Sequence, residues 1–182
     1  MKARAGFTLI EVLTTLAVLV LLGAMTMPAL GVFRSLRLDA AASQVEGAVE
    51  RTRQRAMTRG VPTAFAILTG GKEQAFLALE ATAGDPAAPW QPVGRRERLP
   101  AGIRFDTGAA ATFFASSTPA TLPEVVYEGK TLKPGAGYTA VVFNPDLQAA
   151  NPLCVRLVGD DASAPRDLLV IPPHGQVLYR RY

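Results

Sequence analysis

The sequence predicts an α+β protein in which one long N-terminal helix packs on an antiparallel β-sheet. Three features support this fold class. An apolar run from Val12 to Phe33 is followed, as far as Arg59, by a helical repeat of apolar positions. After Val61, short segments rich in branched and aromatic residues alternate with glycine and proline. With 182 residues, the chain has room for the helix and one modest globular domain.

The first element is a segment long enough to cross a membrane. Residues 7–33 are mostly apolar, and about 20 apolar residues suffice for a helix to span a bilayer. Lys2 and Arg4 precede this segment, which favours a cytoplasmic amino end by the positive-inside rule. The sequence therefore predicts a single membrane-spanning helix with its amino end inside.

Glu11 is the only charged residue between Arg4 and Arg34. A carboxylate within a spanning segment costs roughly 2.5–3.5 kcal/mol on insertion scales, so such residues are usually paired. The candidate partners are Arg4, a cation of a neighbouring protein, or an amine created by cutting the chain. The alternative is that Glu11 lies at the membrane interface and extends its carboxylate to water.

The string K-A-R-A-G-F-T-L-I-E, Lys2 to Glu11, resembles the class III signal of type IV pilins and of the pseudopilins of type II secretion. The resemblance implies that a prepilin peptidase cuts after Gly6 on the cytoplasmic face of the inner membrane and methylates the new terminus, Phe7. It also implies that Glu11 neutralises the terminal amine of an adjacent subunit during assembly. Pro28 matches a proline at which pilin helices bend or loosen in the filament. The implied partners are inner-membrane lipid, the peptidase, the major subunit and minor tip subunits.

Two other interpretations of this segment remain open. A secretory signal peptide has an apolar core of about 7–15 residues and a small-x-small cleavage site. The run up to Phe33 is longer and follows Glu11, which disfavours a signal peptide. A signal anchor that holds an unrelated periplasmic enzyme explains the length of the run, but neither Glu11 nor the Gly6-Phe7 pair.

The helix continues over residues 34–60 with an amphipathic pattern, and Gly60 and Pro62 mark its end. Arg51, Arg53 and Arg55 lie off the apolar stripe, which predicts a solvated face, with a phosphate-binding strip as the alternative. The predicted buried positions recur at spacings of three and four residues: Leu38, Ala41, Ala42, Val45, Ala48, Val49, Thr52 and Ala56.

The same region resembles the GspH/FimT branch of pilin-like proteins. In that branch an arginine, an alanine and an arginine-glycine turn precede the first strand, and Arg53, Ala56, Arg59 and Gly60 stand at those places. The resemblance implies a minor subunit rather than a major pilin. It divides the chain into a leader (1–6), a membrane and assembly helix (7–33), an amphipathic helix (34–60) and a periplasmic β-rich domain (61–182).

The β-rich part is predicted to contain eight short strands. Gly70-Gly71 predicts a hairpin between the first two. Residues 83–92 and 108–123 are rich in alanine, threonine, serine and proline, which predicts surface loops. The predicted strands are 61–68, 74–81, 103–106, 124–127, 138–143, 153–158, 168–171 and 176–179.

No catalytic, metal or cofactor constellation is recognisable in the sequence. His174 is the single histidine, and it precedes the last strand without cysteine or carboxylate companions at ligand spacing. Asp146 does not form part of an acid/base pair pattern, and Ser116 lacks a nucleophile-elbow context. Cys154, the single cysteine, is predicted to be a small buried residue. The sequence predicts a non-enzymatic protein without cofactor or metal.

The carboxyl end is basic and provides candidate nucleic-acid contacts. Arg180 and Arg181 alternate with tyrosines, a combination that suits phosphate contact and base stacking. Some FimT-type minor pilins bind incoming DNA through arginines in a glycine-arginine-x-arginine pattern on the last strand. Here Gln176 and Leu178 stand where those arginines would be, which argues against DNA as a partner.

The resemblance implies a minor pseudopilin that supports protein export by a type II secretion system. The alternative is a FimT-like minor pilin that acts in pilus assembly or DNA uptake. Either protein would be anchored in the bacterial inner membrane by one helix, with a periplasmic globular domain.

Overall fold

The computed structural model describes residues 8–68, 74–82, 90–106, 125–127, 130–132, 138–160 and 164–181. Within these ranges the side chains of residues 25–32, 34, 126–127, 130–132 and 181 lie outside the description. The predicted loop 108–123, the Gly70-Gly71 turn and the leader also lie outside the described residues.

One helix, α1, covers Leu9–Arg59. It begins after Thr8, whose side chain accepts a hydrogen bond from the backbone N–H of Glu11 at 3.3 Å, as an N-cap residue does. It ends at Gly60, which adopts φ 65° and donates its N–H to the carbonyl of Ala56 at 3.0 Å. The predicted end of the helix is therefore confirmed.

The structure describes only part of the predicted membrane-spanning segment, residues 7–33. No helix among the described residues is both long enough and apolar enough to span a membrane. The predicted segment 7–33 includes residue 7 and the side chains of residues 25–32, which lie outside the described residues.

Ten β-strands follow the helix among the described residues. Each of the eight predicted segments overlaps an observed strand, which confirms that part of the sequence interpretation, although β8, β9 and β10 extend one or two residues beyond their predicted bounds. The bounds are β1 Thr63–Leu68, β2 Ala75–Ala81, β3 Trp90–Arg98, β4 Ile103–Asp106, β5 Val125–Tyr127, β6 Lys130–Leu132, β7 Tyr138–Phe143, β8 Leu153–Gly159, β9 Arg166–Ile171 and β10 Gln176–Arg181.

The strands form two four-stranded sheets and one two-stranded ribbon. The first sheet has the order β3-β2-β1-β7, the second has the order β10-β9-β8-β4, and β5 pairs with β6. All named pairs are antiparallel, including the predicted pair of β1 and β2. The fold class is therefore α+β with antiparallel sheets, as predicted.

The second half of α1 packs against both sheets. All eight positions of the predicted apolar stripe are buried, with exposed fractions between 0 and 7%. Six of them, all except Ala41 and Thr52, meet Phe65 and Phe143 of the first sheet and Leu157 and Leu168 of the second in a common apolar core. Alanine occupies four of the eight stripe positions, and its small side chain lets the helix approach the strands closely.

Two strands were not predicted from the sequence. The prediction of a loop over 83–92 is wrong for residues 90–92, because they begin β3. By their intrinsic preferences, Pro92 and Gly94 disfavour a strand. However, β3 is an edge strand with mostly exposed side chains, and an edge strand tolerates both residues. The second strand that was not predicted, β6, has three residues and, among the described strands, pairs only with β5.

Candidate functional site

The first turn of α1 contains the predicted assembly residue Glu11. Its side chain is exposed, and its backbone N–H lies 3.0 Å from the carbonyl oxygen of Thr8. The carbonyl of Glu11 accepts hydrogen bonds from the hydroxyls of Thr14 and Thr15 at 3.0 and 2.9 Å. A carboxylate in the first turn also interacts favourably with the positive end of the helix dipole. Gly6 and Phe7, the predicted processing residues, lie outside the described residues.

The amino-terminal turns of α1, from Leu9 to Leu22, expose apolar side chains around the whole helix. The large apolar residues here are 50–81% exposed, far above the values for the buried stripe of the same helix. A contiguous apolar surface of this kind marks a site of contact with a membrane or with other proteins. The residues are Leu9, Ile10, Val12, Leu13, Leu16, Val18, Leu19, Val20, Leu21 and Leu22.

Pro28 lies inside α1, and its side chain is outside the description. A proline within a helix has no N–H to donate to the carbonyl four residues earlier. The helical backbone nevertheless continues on both sides of this position. The predicted role of Pro28 in loosening the helix stays a prediction.

The two carboxyl-terminal arginines occupy the end of β10. Arg180 is exposed and lies opposite Asp167 of β9 in the strand register. Asp167 is itself buried and accepts hydrogen bonds from both the Nε and an Nη atom of Arg156, at 2.7 and 2.8 Å. Arg181 lies opposite Arg166, and its own side chain is outside the description. Arg180 is thus next to a carboxylate rather than in a purely basic strip.

A buried ion pair that the sequence did not reveal joins α1 to the second sheet. Arg166, only 2% exposed, donates from Nε to a carboxylate oxygen of Asp39 at 2.7 Å and from an Nη atom to the carbonyl of Ala164 at 2.7 Å. The hydroxyl of Tyr179 donates to the same Asp39 oxygen at 2.7 Å. The hydrogen bond to Asp39 is the main cause that raises the pKa of Arg166, whereas burial is the main cause that raises the pKa of Tyr179. Asp39, Arg166 and Tyr179 therefore fix the helix against β9 and β10.

The helix arginines contact the first sheet and a nearby loop. Arg51 pairs with Glu97 of β3 at 2.8 Å but stays 62% exposed, which agrees with the predicted solvated face. Arg55 pairs with Glu80 of β2 at 2.7 Å and is half-buried, so the prediction of a solvated face is wrong for Arg55.

The prediction is also wrong for Arg53, which is half-buried. Its guanidinium donates hydrogen bonds to the carbonyl oxygens of Leu147 at 3.4 Å and His174 at 2.9 Å. His174 is exposed and lies in the turn between β9 and β10, as predicted. Arg53 therefore connects the helix to two turns, a role that the local charge pattern did not indicate.

Cys154 differs from its prediction. It is half-buried in β8, whose side chains alternate between buried and half-buried positions. Cys154 lies on the half-buried face, away from Leu153 and Val155 in the main core. Burial, with a smaller contribution from Asp167, raises the pKa of its thiol. A raised thiol pKa keeps the side chain neutral and weakly nucleophilic at neutral pH.

Comparison with known proteins identifies the amino-terminal segment. A family model for the prokaryotic N-terminal methylation motif matches residues 1–27. The chain carries a type IV pilin-like amino terminus. No curated protein and no solved structure matches the chain.

The methylation motif covers the residues singled out from the sequence, Gly6, Phe7 and Glu11, and ends one residue before Pro28. It is a motif of pilin-type structural proteins rather than of an enzyme family. It implies processing by a prepilin peptidase, membrane anchoring and assembly with other pilins. The GspH/FimT branch is not identified by this match.

Proposed function

We propose that the chain is a minor pseudopilin of the GspH/FimT type, a structural subunit of a type II secretion pseudopilus that supports protein export. One observation carries the proposal. The helix that begins inside the methylation motif has an exposed apolar half at its amino end, followed by a half that packs on its own sheets. The exposed apolar surface of the first half can contact a membrane or neighbouring subunits, while the second half packs against the globular domain.

Processing creates the group that Glu11 needs. Cleavage after Gly6 frees the amine of Phe7, which the peptidase then methylates. Phe7 and Glu11 are four residues apart, about one helical turn, so the amine and the carboxylate lie near the same end of the helix. In a filament, the Phe7 amine of one subunit pairs with the Glu11 carboxylate of the next. The pair offsets the cost of placing either charge in an apolar medium.

The membrane stores the subunit before assembly. Residues 7–33 cross the inner membrane once, with the amino end cytoplasmic and the globular domain periplasmic. Pro28 lies in the part of the helix that loosens when the subunit enters the filament. The domain over residues 61–182 then decorates the filament and contacts the major subunit and the minor tip subunits.

A second candidate function is that of a FimT-like minor pilin in a type IV pilus, acting in assembly or DNA uptake. The exposed position of Arg180 at the end of β10 favours it, because an exposed cation on an edge strand is accessible to a phosphate backbone. The carboxylate of Asp167 opposite Arg180 disfavours it. A signal-anchored periplasmic enzyme is the weakest alternative, since the motif is of a structural type.

Photocrosslinking in the native host distinguishes a subunit of a secretion pseudopilus from a subunit of a type IV pilus. A photoreactive residue at Leu19, which is exposed, reports on the neighbour of the assembly helix. The same residue at Val45 is the matched control, because Val45 is buried against the protein's own sheets and should crosslink only within the chain. We expect Leu19 to capture a major pseudopilin of a secretion system. Capture of a major pilin supports the second candidate, and capture of neither contradicts both.

A further inference from the structure

We propose that a cleft between α1, β2 and β3 binds an acidic segment of a partner protein, which inserts one apolar side chain between the helix and the strands. The cleft has a volume of about 230 Å³. This is roughly the space that seven or eight water molecules occupy in the liquid. The space suits one side chain and is smaller than the usual pocket for a cofactor or drug-sized ligand.

The inner wall of the cleft is apolar. It is formed by Ala48 of α1, Phe65 of β1, Phe76 of β2 and Val93 of β3. The rings of Phe65 and Phe76 pack against each other with their centroids 5.6 Å apart and their planes tilted by 41°. Phe65 and Phe76 are already buried, so an apolar side chain that enters the cleft removes from water its own surface and that of the half-buried Ala78 and Val93, which favours binding.

An irregularity in the first sheet lies beside the cleft. On β2 only Leu77 separates the paired positions Phe76 and Ala78, whereas on β3 three residues, 94–96, separate their partners. Gly94 adopts φ 78°, a conformation that glycine accommodates without strain. Bulges of this kind redirect side chains and are common next to functional sites.

The rim of the cleft carries three guanidinium groups. Arg51 is neutralised by Glu97 at 2.8 Å, and Arg55 is neutralised by Glu80 at 2.7 Å. Arg95, within the bulge, is exposed, and its guanidinium has no ion pair or hydrogen bond to any residue in the part of the chain that the structure describes. The rim therefore has one net positive charge, which a carboxylate of the partner would neutralise.

An acidic peptide fits these walls better than nucleic acid or lipid. The closely spaced phosphates of a nucleic acid would meet one unneutralised cation at the rim, and the buried rings of Phe65 and Phe76 present no face on which a base could stack. Recognition of an anionic membrane surface relies on clusters of about four to eight lysines or arginines, and the cleft has one unneutralised cation.

The test measures peptide binding to the full chain in detergent micelles by fluorescence anisotropy. The probe is a labelled peptide with the core Asp-Phe-Asp, compared with peptides in which the core is Asn-Phe-Asn or Asp-Gly-Asp. We expect each change of the core to weaken binding about tenfold, because one removes the charge and the other the apolar anchor. Arg95→Gln should weaken binding of the Asp-Phe-Asp peptide by about the same factor.

Arg104→Gln is the matched control, since Arg104 is also an exposed strand arginine but lies in the second sheet. It should change the affinity by less than about twofold. Ala78→Leu, which fills the cleft without altering a charge, should weaken binding as well. Equal losses for Arg95→Gln and Arg104→Gln would show a general charge effect and overturn the proposal. Equal binding of the Asp-Phe-Asp and Asn-Phe-Asn peptides, or displacement of the probe by a single-stranded oligonucleotide more readily than by unlabelled peptide, would overturn it too.

Discussion

The first half of α1 is richer in apolar residues than the second, and the two halves have opposite environments. Between Leu9 and Leu22 the large apolar side chains are exposed on all sides of the helix, whereas between Leu38 and Ala56 a single stripe is buried. A helix that is apolar all round needs an apolar surrounding, and one with a stripe needs a single packing surface. Among the described residues, only the second half has such a packing surface. The apolar surface of the first half is therefore available for contacts with a membrane or with other molecules.

The polar side chains differ between the halves in the same way. The second half is fixed to the sheets by the Arg166–Asp39 and Arg55–Glu80 pairs, and to two turns by Arg53. Glu11, the charged residue of the first half, has only backbone and first-turn contacts among the described residues. A carboxylate that has no cation beside it in the part of the chain that the structure describes suits a group that is completed by another subunit.

The largest expected effect concerns cleavage after Gly6, the step that frees the Phe7 amine for assembly. Gly6→Val should block cleavage, because a branched side chain at the residue before the cut obstructs the peptidase. Intact-mass analysis after incubation with a prepilin peptidase should then show only the full-length precursor. Ala5→Val is the control and should still be cut. Efficient cleavage of Gly6→Val would place the processing site elsewhere.

A matched pair of leucine substitutions tests the difference between the halves directly. Leu38→Ala should lower the free energy of unfolding by about 2–5 kcal/mol, because Leu38 is fully buried in the main core. Leu19→Ala should change the free energy of unfolding by less than about 0.5 kcal/mol, because Leu19 is exposed in the monomer. Denaturant titration followed by tryptophan fluorescence measures both. Equal losses would mean that the first half also packs within the chain.

The ion pairs of the second half should differ in strength according to burial. Asp39→Ala leaves the buried guanidinium of Arg166 without its carboxylate and should lower the free energy of unfolding by about 3 kcal/mol. Glu97→Gln, which removes the carboxylate of an exposed pair with Arg51, should cost at most about 1 kcal/mol. The same denaturant titrations measure both losses of stability. A larger loss for Glu97→Gln than for Asp39→Ala would contradict the claim that the more buried pair contributes more.

The smallest expected effect is at the carboxyl end. Arg180→Gln should leave the affinity for double-stranded DNA unchanged, because a pseudopilin has no need to bind DNA and Arg180 lies opposite Asp167. Electrophoretic mobility shifts at two salt concentrations measure this affinity. If Arg180 and Arg181 both contact phosphates, the salt slope should be about 2 and should fall by about 1 in the variant. That result would favour the pilus function.

The sequence predicted those parts of the fold that depend on short-range pattern. The stripe from Leu38 to Ala56 follows the helical period, and Gly60 ends the helix by its left-handed conformation. β3 was missed because Pro92 and Gly94 oppose a strand locally, although pairing with β2 forms one. Tertiary pairing overrides local preference in such edge strands.

The polar contacts between distant parts of the chain could not be predicted. Asp39 and Arg166 are 127 positions apart, and nothing in their local surroundings selects one partner over another. The same holds for the cleft at Arg95, which depends on a bulge in β3 and on residues of α1 and of three strands that are distant in the sequence. By contrast, the methylation motif was recognisable because its residues are contiguous.

The most direct test of the account is to separate folding from assembly with Glu11→Ala. The variant should be cut by the peptidase and should unfold at the same denaturant concentration as the parent, since Glu11 has no side-chain contact with the sheets among the described residues. Its incorporation into filaments, measured by shearing and quantitative mass spectrometry, should fall at least about tenfold, because the Phe7 amine of the neighbour loses its carboxylate. Normal incorporation of a correctly cut and folded Glu11→Ala protein would contradict the claim that the first half of the helix works through a charge pair between subunits.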